Sequence, residues 1–330
     1  FGCQDFMNSS EIKSLYNSGH EIAAHTRTDR CAPGECSTGV GSRGLSLIDQ
    51  LFEVDGLRLD LLRGIGVPVN TFAYPFGEFD DALISKLKSA GIVGARTVNF
   101  INVFGQPSYN EKIGGDRYKL FAAQINANTP ITASDAPLTD GAGNPRPEWG
   151  HVESWINGAI TAKKWLILVF HEVKQDCAGE LFCITPSQFG AITSYLQSKA
   201  SDLNVVTVSQ GLSWMDNKPV SNLGTPVITI PEAGGNNTIT VSASSSGGAQ
   251  VLFTPVVSDD DTNLPLPLNA FCTIPTLVYP VLTGHPMWGV NFSKVVISGS
   301  TFPIGTSVVT CTAADTGGRI GTKRFAVVVN

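Results

Sequence analysis

The pattern of the sequence changes near residue 218, and this change limits what the chain can fold into. Before it, segments in which apolar residues recur at helical spacing alternate with short apolar runs, which is typical of an α/β domain. After it, a connector rich in Pro, Ser, Asn and Gly leads into short runs of Val, Thr and Ser without helical spacing. A chain of 330 residues is also too long for one typical core. We therefore predict two domains, 1–218 and 226–330, joined by a linker at 219–225.

Capping signals and apolar spacing place the elements of the first domain. Asn8 and Thr185 are each followed three residues later by Glu or Gln, which is the capping-box pattern of a helix start. Another helix begins at Asp80 or Asp81, and a further one carries Trp155 on its apolar stripe. The predicted strands are Glu21–Ala24, Phe72–Tyr74, Ile92–Ala95, Trp165–Phe170 and Val205–Val208. Repeated strand–helix units imply parallel strands, bent into a (β/α) barrel.

The second domain is predicted to be an all-β sandwich, because its apolar runs are short and bounded by turn residues. The predicted strands are Val227–Ile230, Ile239–Ser242, Val251–Val257, Val308–Ala313 and Phe325–Val329. Cys272 and Cys311 both lie in this part, and we expect a disulfide between them that joins the two sheets.

Six of the seven cysteines form three local pairs that fit disulfides in an oxidising compartment, and none is spaced as in a zinc ribbon. The pairs are Cys31 with Cys36, Cys177 with Cys183, and Cys272 with Cys311. Cys3 is left over, so a covalent partner or self-assembly through it is expected. Glycosylation sequons at Asn8, Asn236 and Asn291 are compatible with export. These features predict a secreted or cell-surface glycoprotein.

Charge and hydropathy exclude several classes of partner. The net charge is −6, with acidic and basic residues scattered along the chain. A surface that binds nucleic-acid phosphates, or a basic patch for an anionic membrane, is therefore not expected. The longest apolar run, Trp165–Phe170, is far shorter than the roughly 20 residues of a membrane span.

Three candidate functional features fall at the carboxyl ends of predicted strands. His25 follows the first strand, the turn Tyr74–Gly77 closes the second, and His171 follows the fourth. In a parallel α/β barrel these ends share one face, where active sites are built. One such histidine alone is more often structural, but three coincident placements predict a common pocket.

The three segments around these features are Gly19–Thr26 (GHEIAAHT), Thr71–Asp81 (TFAYPFGEFDD) and Ile167–Val173 (ILVFHEV). In this order they resemble the motifs of the polysaccharide deacetylases, the family-four carbohydrate esterases. The resemblance covers about residues 5 to 213. It implies a distorted (β/α) barrel and a metal-dependent hydrolase that removes acetyl groups from a polysaccharide.

The resemblance also implies roles for individual residues. A divalent metal, typically zinc, would be held by His25 and by Asp29, which stands where the family has a second histidine. Such a metal polarises the acetyl carbonyl and lowers the pKa of its bound water to about 7. The backbone N–H of Phe76 matches the donor that stabilises the oxyanion. His171 matches the acid that protonates the departing amine.

Substrate contacts are expected around the same motifs. The resemblance implies Tyr74, Pro75 and Val169, and the loop that carries Trp149 favours a sugar contact. His151 opens a helix, where a capping role is at least as expected as a substrate contact.

The chain departs from the family at two places. Ala73 stands where many members have an arginine, and Arg96 is a candidate replacement. The Asp-Asp pair of the family supplies a general base and a metal ligand, and it has no match in this sequence. Either a segment upstream of residue 1 supplies it, or the barrel lacks its first strand and the domain is degenerate.

In the second domain, Ser300–Thr306 and Val309–Asp315 resemble a hyalin-repeat (HYR) module. This resemblance covers roughly residues 226–330 and implies an immunoglobulin-like sandwich used in extracellular adhesion or as a spacer. The acidic run Asp259–Asp261 has no ligand-spaced calcium loop after it, so a solvated turn is expected.

Three functions stay open at this point. The leading hypothesis is a secreted, metal-dependent deacetylase of an acetylated glycan. The second is a degenerate deacetylase fold that serves as an extracellular structural, adhesion or carbohydrate-binding component, which Asp29, Ala73 and the absent Asp-Asp pair favour. The third is a glycoside hydrolase with Glu78 and Glu172 as its carboxylates, which the histidine motifs fit less well.

Overall fold

The computed structural model describes most of the chain. The described residues are 7–27, 46–67, 69–98, 108–140, 142–178, 180, 182–216, 225–259, 268, 270–275, 293–314 and 320–330. The chain divides into two compact units: the first comprises Phe1–Pro75, Phe79–Val93 and Val220–Asn330, and the second comprises Phe76–Glu78 and Gly94–Pro219.

Among the described residues of the first unit, four α-helices precede the β-rich part. They are α1 (Ser9–Asn17), α2 (Leu47–Gln50), α3 (Leu57–Ile65) and α4 (Asp81–Ser89), and one π-helical turn, Leu51–Gly56, joins α2 to α3. The capping box predicted at Asn8 is confirmed, since its side chain accepts from the N–H groups of Ser10 and Glu11. Asp80 caps α4 by accepting from the N–H of Leu83. Both helices therefore begin where their sequence signals predict.

A parallel backbone pairing places the first motif beside the second. Strand β1 (Thr71–Ala73) pairs with Ala24, whose N–H donates to Thr71 O at 2.9 Å and whose carbonyl accepts from Ala73 N at 2.8 Å. The predicted strand Glu21–Ala24 is thus reduced to a single bridge at Ala24, and the motif residues on either side of it are not extended partners in a sheet.

The second unit alternates short strands and helices. Its elements are β2 (Gly94–Arg96), β3 (Ala123–Gln124), α5 (Val152–Ala162), β4 (Leu168–Val169), β5 (Glu172–Val173), β6 (Cys183–Ile184), α6 (Pro186–Ser198) and α7 (Val208–Asp216). β3 is parallel to β4, and β5 is parallel to β6. One apolar core contains Ile125, Trp155 and Ile184, which are fully or almost fully buried. The burial of Trp155 agrees with its predicted place on the apolar stripe of a helix.

The last strand predicted for this part, Val205–Val208, is wrong. Val208 begins α7, and the residues before it form no strand. The reason is a capping box in which Thr207 N donates to Gln210 Oε1 at 2.9 Å and Gln210 N donates to Thr207 Oγ1 at 3.3 Å. This is the same Thr-x-x-Gln pattern that starts α6 at Thr185.

A closed barrel is not present among the described residues. The strands before residue 217 have two or three residues and pair two by two. The mixed α/β character predicted from the sequence is observed, whereas a continuous parallel sheet that closes on itself is not.

The carboxyl-terminal part, residues 225–330, consists within its described residues of strands and one 3-10 helical turn, Pro231–Ala233. Its strands are β7 (Val227–Thr229), β8 (Thr238–Val241), β9 (Ala249–Val251), β10 (Val256–Ser258), β11 (Phe271–Pro275), β12 (Ser293–Val295), β13 (Ser300–Phe302), β14 (Gly305–Ala314) and β15 (Ile320–Val329). A five-stranded sheet has the order β12-β11-β14-β15-β8, and β10-β7 and β13-β9 form two smaller pairs. Phe253 packs its ring against Phe302 and Phe325 within one apolar core.

The strand bounds in this part differ from the prediction in two ways. The run Val251–Val257 forms the ends of two strands, β9 and β10, with an irregular connection between them. Strands β11, β12 and β13 were not predicted, because each is a short segment without a clear alternating pattern.

Two of the three predicted disulfides fall on described residues, and both are confirmed. They join Cys177 to Cys183 and Cys272 to Cys311. The position expected for the second one is wrong. Cys272 and Cys311 are directly opposite each other on the neighbouring strands β11 and β14, so they lie within one sheet and do not join two. Cys3 and the pair Cys31 and Cys36 lie outside the described residues.

No helix within the described part of the chain combines the length and the apolar character that a membrane span needs.

Candidate functional site

The first candidate ligand, His25, is exposed and has a defined orientation. Its Nδ1 lies 2.7 Å from the carbonyl oxygen of Ala73. A carbonyl oxygen can only accept, so Nδ1 carries a proton, and in the neutral ring the lone pair is on Nε2. Metal-binding histidines are commonly oriented by such a bond from the other ring nitrogen. His25 is therefore arranged as a histidine ligand would be.

The residue that follows, Thr26, has a strained backbone. Its φ is 70°, in the left-handed region that β-branched residues rarely occupy. The side chain is buried, and its hydroxyl has no hydrogen-bond partner among the described residues. Strain of this kind concentrates at functional sites, where the surrounding structure holds it in place.

Asp29, the second candidate ligand, lies outside the described residues. Within the described part of the chain, no three His, Cys, Asp or Glu side chains are grouped closely enough to hold a metal ion. The pair of metal ligands, His25 and Asp29, therefore stays a prediction, and His25 is the one that lies among the described residues. An imidazole nitrogen with a free lone pair fits a zinc ion or a similar divalent metal.

The second motif forms a tight turn, Pro75–Gly77. Phe76 is exposed and has a φ of 55°, and Gly77 has a φ of 75°. The Gly77 carbonyl accepts from Thr97 Oγ1 at 2.6 Å. A Cβ at Gly77 would lie 2.5 Å from a methyl carbon of Val98 and 2.7 Å from the Val98 nitrogen. Glycine is thus required here, and two successive left-handed residues set the direction of the Phe76 N–H.

Two of the predicted substrate contacts, Tyr74 and Pro75, are buried. The Tyr74 ring is fully buried and packs against Phe72 and Phe79, with ring centroids 5.6 and 5.1 Å away. These two residues therefore belong to the buried interior of the first unit, whereas Phe76 is exposed.

Arg96 lies on β2 and is only partly exposed. Its backbone forms a parallel bridge with Leu120. Burial lowers the pKa of its guanidinium below the usual value, and no described residue forms an ion pair with it. A partly buried guanidinium can still form an ion pair with a carboxylate, since charge-assisted hydrogen bonds offset the cost of burial.

The proposed acid, His171, stands between β4 and β5 and is exposed. Its ring lies 5.0 Å from the ring of Phe182, which is 45% exposed. The chain between β5 and β6 is closed by the disulfide Cys177–Cys183, and β5 pairs with β6 at Glu172 and Cys183. The disulfide and this pairing therefore fix Phe182 beside His171.

Glu172, the residue after His171, is committed to ion pairs. Lys174 Nζ lies 2.9 Å from Glu172 Oε2 and 2.5 Å from Glu180 Oε2. The hydrogen bond and charge of Lys174 hold the pKa of Glu172 below its usual value. A glycosidase acid needs a raised pKa, so this carboxylate is unsuited to that role.

The remaining predicted contacts, Trp149 and Val169, lie in the second unit. Trp149 is half-buried in the turn Pro147–Trp149, and the Arg146 guanidinium lies 5.8 Å from its ring centroid. Val169 is buried on β4. His151 caps α5, as its position predicts, by accepting from Ser154 N.

The candidate residues are divided between the two units. His25, Tyr74 and Pro75 belong to the first, and Phe76, Arg96, Trp149, Val169 and His171 belong to the second. Within the first unit, the structure brings His25 to the end of β1. Within the second, it places Phe182 against His171.

Comparison with known proteins gives matches among solved structures but none among family models or curated proteins. No protein-family model and no curated protein matches the chain. The chain is similar to the crystal structure of a "putative polysaccharide deacetylase" from Mycobacterium smegmatis, with 13% sequence identity and a TM-score of 0.37. The similarity covers 63% of this chain and 67% of the other. An overlap this loose carries no argument about the present protein.

Two groups of residues beside the candidate site had no signal in the sequence. One is Phe182, a single aromatic residue in a loop, whose contact with His171 depends on the disulfide. The other is the acidic pair Glu53 and Asp55, which is buried although its sequence gives no sign of it. A Cys-x5-Cys loop directly after a candidate acid is the pattern that could have drawn attention to Phe182.

Proposed function

We propose that the chain is a secreted, metal-dependent hydrolase that removes acetyl groups from a polysaccharide. The observation that carries the proposal is the orientation of His25. Its Nδ1–H donates to Ala73 O, which leaves Nε2 available at the carboxyl end of the parallel pairing between Ala24 and β1. This is the placement that the resemblance to polysaccharide deacetylases requires of a metal ligand.

His25 and Asp29 would hold the metal, which supplies a polarised acetyl carbonyl and an activated water when it is bound. The remaining steps belong to the chain itself. The N–H of Phe76, fixed by two left-handed residues, donates to the carbonyl oxygen as negative charge develops on it. His171 gives a proton to the departing amine or alcohol of the sugar. The exposed ring of Phe182 beside it is available to contact the glycan.

Arg96 is proposed to fill the place of the arginine that Ala73 lacks. Its guanidinium is partly buried and has no carboxylate partner among the described residues, so it can orient a catalytic carboxylate. The general base itself has no match in this sequence. The proposal therefore requires a carboxylate outside the 330 residues.

Metal content tests the proposal directly. The full natural chain is purified without chelators, and zinc and other metals are measured by mass spectrometry for the wild type, His25→Ala and His20→Ala. His20 is the matched control, because it is an exposed histidine of the same motif. We expect about one ion per chain in the wild type and in His20→Ala and close to none in His25→Ala, because a site with few protein ligands depends on each of them.

Acetate release from chitin oligosaccharides and from acetylated xylan is then measured for the same proteins. Loss of activity in His25→Ala alone supports the deacetylase. A wild-type chain without metal under these conditions would sink the proposal.

A second function has its own supporting observation. Asp29 and Ala73 replace two family residues, while an exposed Phe182 remains beside His171. A carbohydrate-binding component of the cell surface needs the aromatic contact and not the metal. Binding of chitin oligosaccharides without acetate release, and unchanged by His25→Ala, would favour this function. In either case we propose that residues 226–330 act as an immunoglobulin-like spacer or adhesion module, which their five-stranded sheet and apolar core support.

A further inference from the structure

The π-helical turn Leu51–Gly56 carries two buried carboxylates. Glu53 is 1% exposed and Asp55 is 5% exposed. A buried carboxylate is costly unless charged or hydrogen-bonding groups face it, so each must have a partner. The partners of the two differ, and the difference points to two separate roles.

Glu53 faces the segment that follows His25. Its Oε2 accepts a hydrogen bond from the backbone N–H of Arg27 at 2.9 Å. Arg27 stands only two residues after His25, so this bond fixes the chain just past the candidate ligand. A bond from an ionised acceptor to a backbone N–H is stronger than one between neutral groups.

The Arg27 side chain is held by the same helical segment. Its Nη2 lies 2.6 Å from Asp60 Oδ2, and its guanidinium lies 4.4 Å from the centroid of the Phe52 ring. A Cβ at Gly56 would lie 3.0 Å from Arg27 Nη1, so glycine leaves room for the side chain. Both the backbone and the side chain of Arg27 are therefore anchored to residues 52–60.

Thr26 lies between two fixed points. On one side His25 is bound to Ala73 O, and on the other Arg27 N–H is bound to Glu53. Left-handed backbone is unfavourable at a β-branched residue and persists only when the surroundings hold it. If the Arg27 anchor is lost, Thr26 can relax, and the imidazole that precedes it loses its direction.

We propose that Glu53 is a positioning residue for the candidate metal site: acting through Arg27, it holds Thr26 left-handed and so sets the direction of His25 Nε2. The inference rests on the proposed function, because it concerns the same site. Glu53 touches neither metal nor substrate in this role. Its effect is on how well His25 is oriented before a metal binds.

Asp55 provides the matched control. It is a buried carboxylate of the same turn, but it pairs with Lys86 of α4, with Asp55 Oδ2 and Lys86 Nζ 2.7 Å apart and both side chains almost fully buried. A purely structural role for the turn would make substitutions at Glu53 and Asp55 act alike. Positioning predicts that they differ.

The experiment compares the wild type, Glu53→Met, Glu53→Gln and Asp55→Asn in the full chain. Zinc affinity is measured by competition with a chromophoric chelator, and amide hydrogen exchange of Arg27 is measured in the metal-free protein. Glu53→Met keeps the side-chain volume and removes the acceptor, so zinc affinity is expected to fall about tenfold and Arg27 exchange to rise about tenfold. Glu53→Gln keeps an oxygen acceptor, so its affinity should stay within about threefold of the wild type. Asp55→Asn should lower thermal stability and leave zinc affinity within about twofold.

The outcomes separate this inference from the proposed function. Zinc binding by the wild type that Glu53→Met leaves unchanged overturns the positioning role and keeps the deacetylase. A wild type without zinc overturns the deacetylase and, with it, the positioning of a metal ligand. Faster Arg27 exchange in Glu53→Met but not in Asp55→Asn would then show only that Glu53 anchors Arg27, and equal exchange would show that it does not. If Glu53→Met does not fold, Asp60→Asn replaces it, with an expected loss of about threefold in zinc affinity. An unchanged affinity in that variant also overturns the inference.

Discussion

The long strands of the carboxyl-terminal part and the short strands that carry the motifs are stabilised in different ways. β14 and β15 pair over their whole length, from Gly305 opposite Val329 to Ala314 opposite Ile320. β4 and β5 have two residues each. Around the motifs, order comes from individual bonds instead: Ala73 O to His25, Glu53 to Arg27, and the disulfide beside His171. The residues of the candidate site are therefore held by a few individual contacts, whereas the β part is held by a long hydrogen-bonded strand pair and an apolar core.

The two disulfides give the strongest test of this difference, because there is one in each setting. Replacing Cys272 and Cys311 together by alanine opens a loop of 39 residues and should lower the free energy of unfolding by about 4 kcal/mol. Replacing Cys177 and Cys183 together should lower it by only about 2 kcal/mol, because the loop is shorter. Hydrogen exchange of the β14 amides in the first variant and of the β5 and β6 amides in the second measures these losses.

Each disulfide variant is the control for the other. In the variant without Cys177–Cys183, protection of the β14 amides should remain as in the wild type. If both variants lose the same protection in both places, the two regions do not differ as described, and the comparison breaks.

A smaller effect is expected from the glycine that shapes the second motif. Gly77→Ala places a methyl group against the backbone of Val98, whereas Gly19→Ala, also at a positive φ, meets no atom within 4 Å. The left-handed cost of about 1 to 2 kcal/mol is common to both, and the clash adds about 1 to 3 kcal/mol at Gly77 alone. Thermal or urea unfolding measures the two losses. Equal losses would show that Val98 moves aside at no cost, and the turn would be less rigid than the contacts indicate.

The smallest effect concerns Glu172, whose ion pair with Lys174 is exposed. Lys174 lowers the pKa of Glu172, and the two carboxylates raise the pKa of Lys174. Stabilisation from Glu172 is therefore present above its unfolded pKa and lost as pH falls through the folded one. Stabilisation from Lys174 is present below its unfolded pKa and lost as pH rises through the folded one. Both are present near neutral pH.

Lys174→Met should return the pKa of Glu172 toward its usual value, with little change in stability, because exposed pairs contribute little. A carbon-13 NMR titration of the Glu172 carboxyl measures the shift. Lys163→Met, at the exposed end of α5, is the control and should leave this titration unchanged. An unshifted Glu172 in Lys174→Met would mean that another group sets its pKa.

Local signals in the sequence predicted the helices well, because a capping box needs only neighbouring residues. Asn8 and Thr185 are examples, and the missed start of α7 at Val208 had the same signal in Thr207 and Gln210. The apolar run Val205–Val208 predicts a strand and the cap predicts a helix, and the chain follows the cap.

Features that depend on distant parts of the chain were not predictable in the same way. The spacing of Cys272 and Cys311 indicated a bond, but only the register of β11 against β14 shows that it lies within one sheet. Nothing in the run Leu51–Gly56 shows that Glu53 is buried against Arg27, since that contact joins residues far apart in sequence. The candidate residues His25 and His171 were found from motifs, and the contacts that orient them were not.

The buried pair of Asp55 and Lys86 has a consequence for how the molecule responds to temperature. Water solvates charged groups less favourably as temperature rises, so the penalty for keeping this pair dry falls on heating. The apolar core around Phe253 depends on hydrophobic stabilisation, which weakens on cooling. Cooling therefore weakens the apolar core of the β part, whereas heating lowers the cost of burying the Asp55–Lys86 pair.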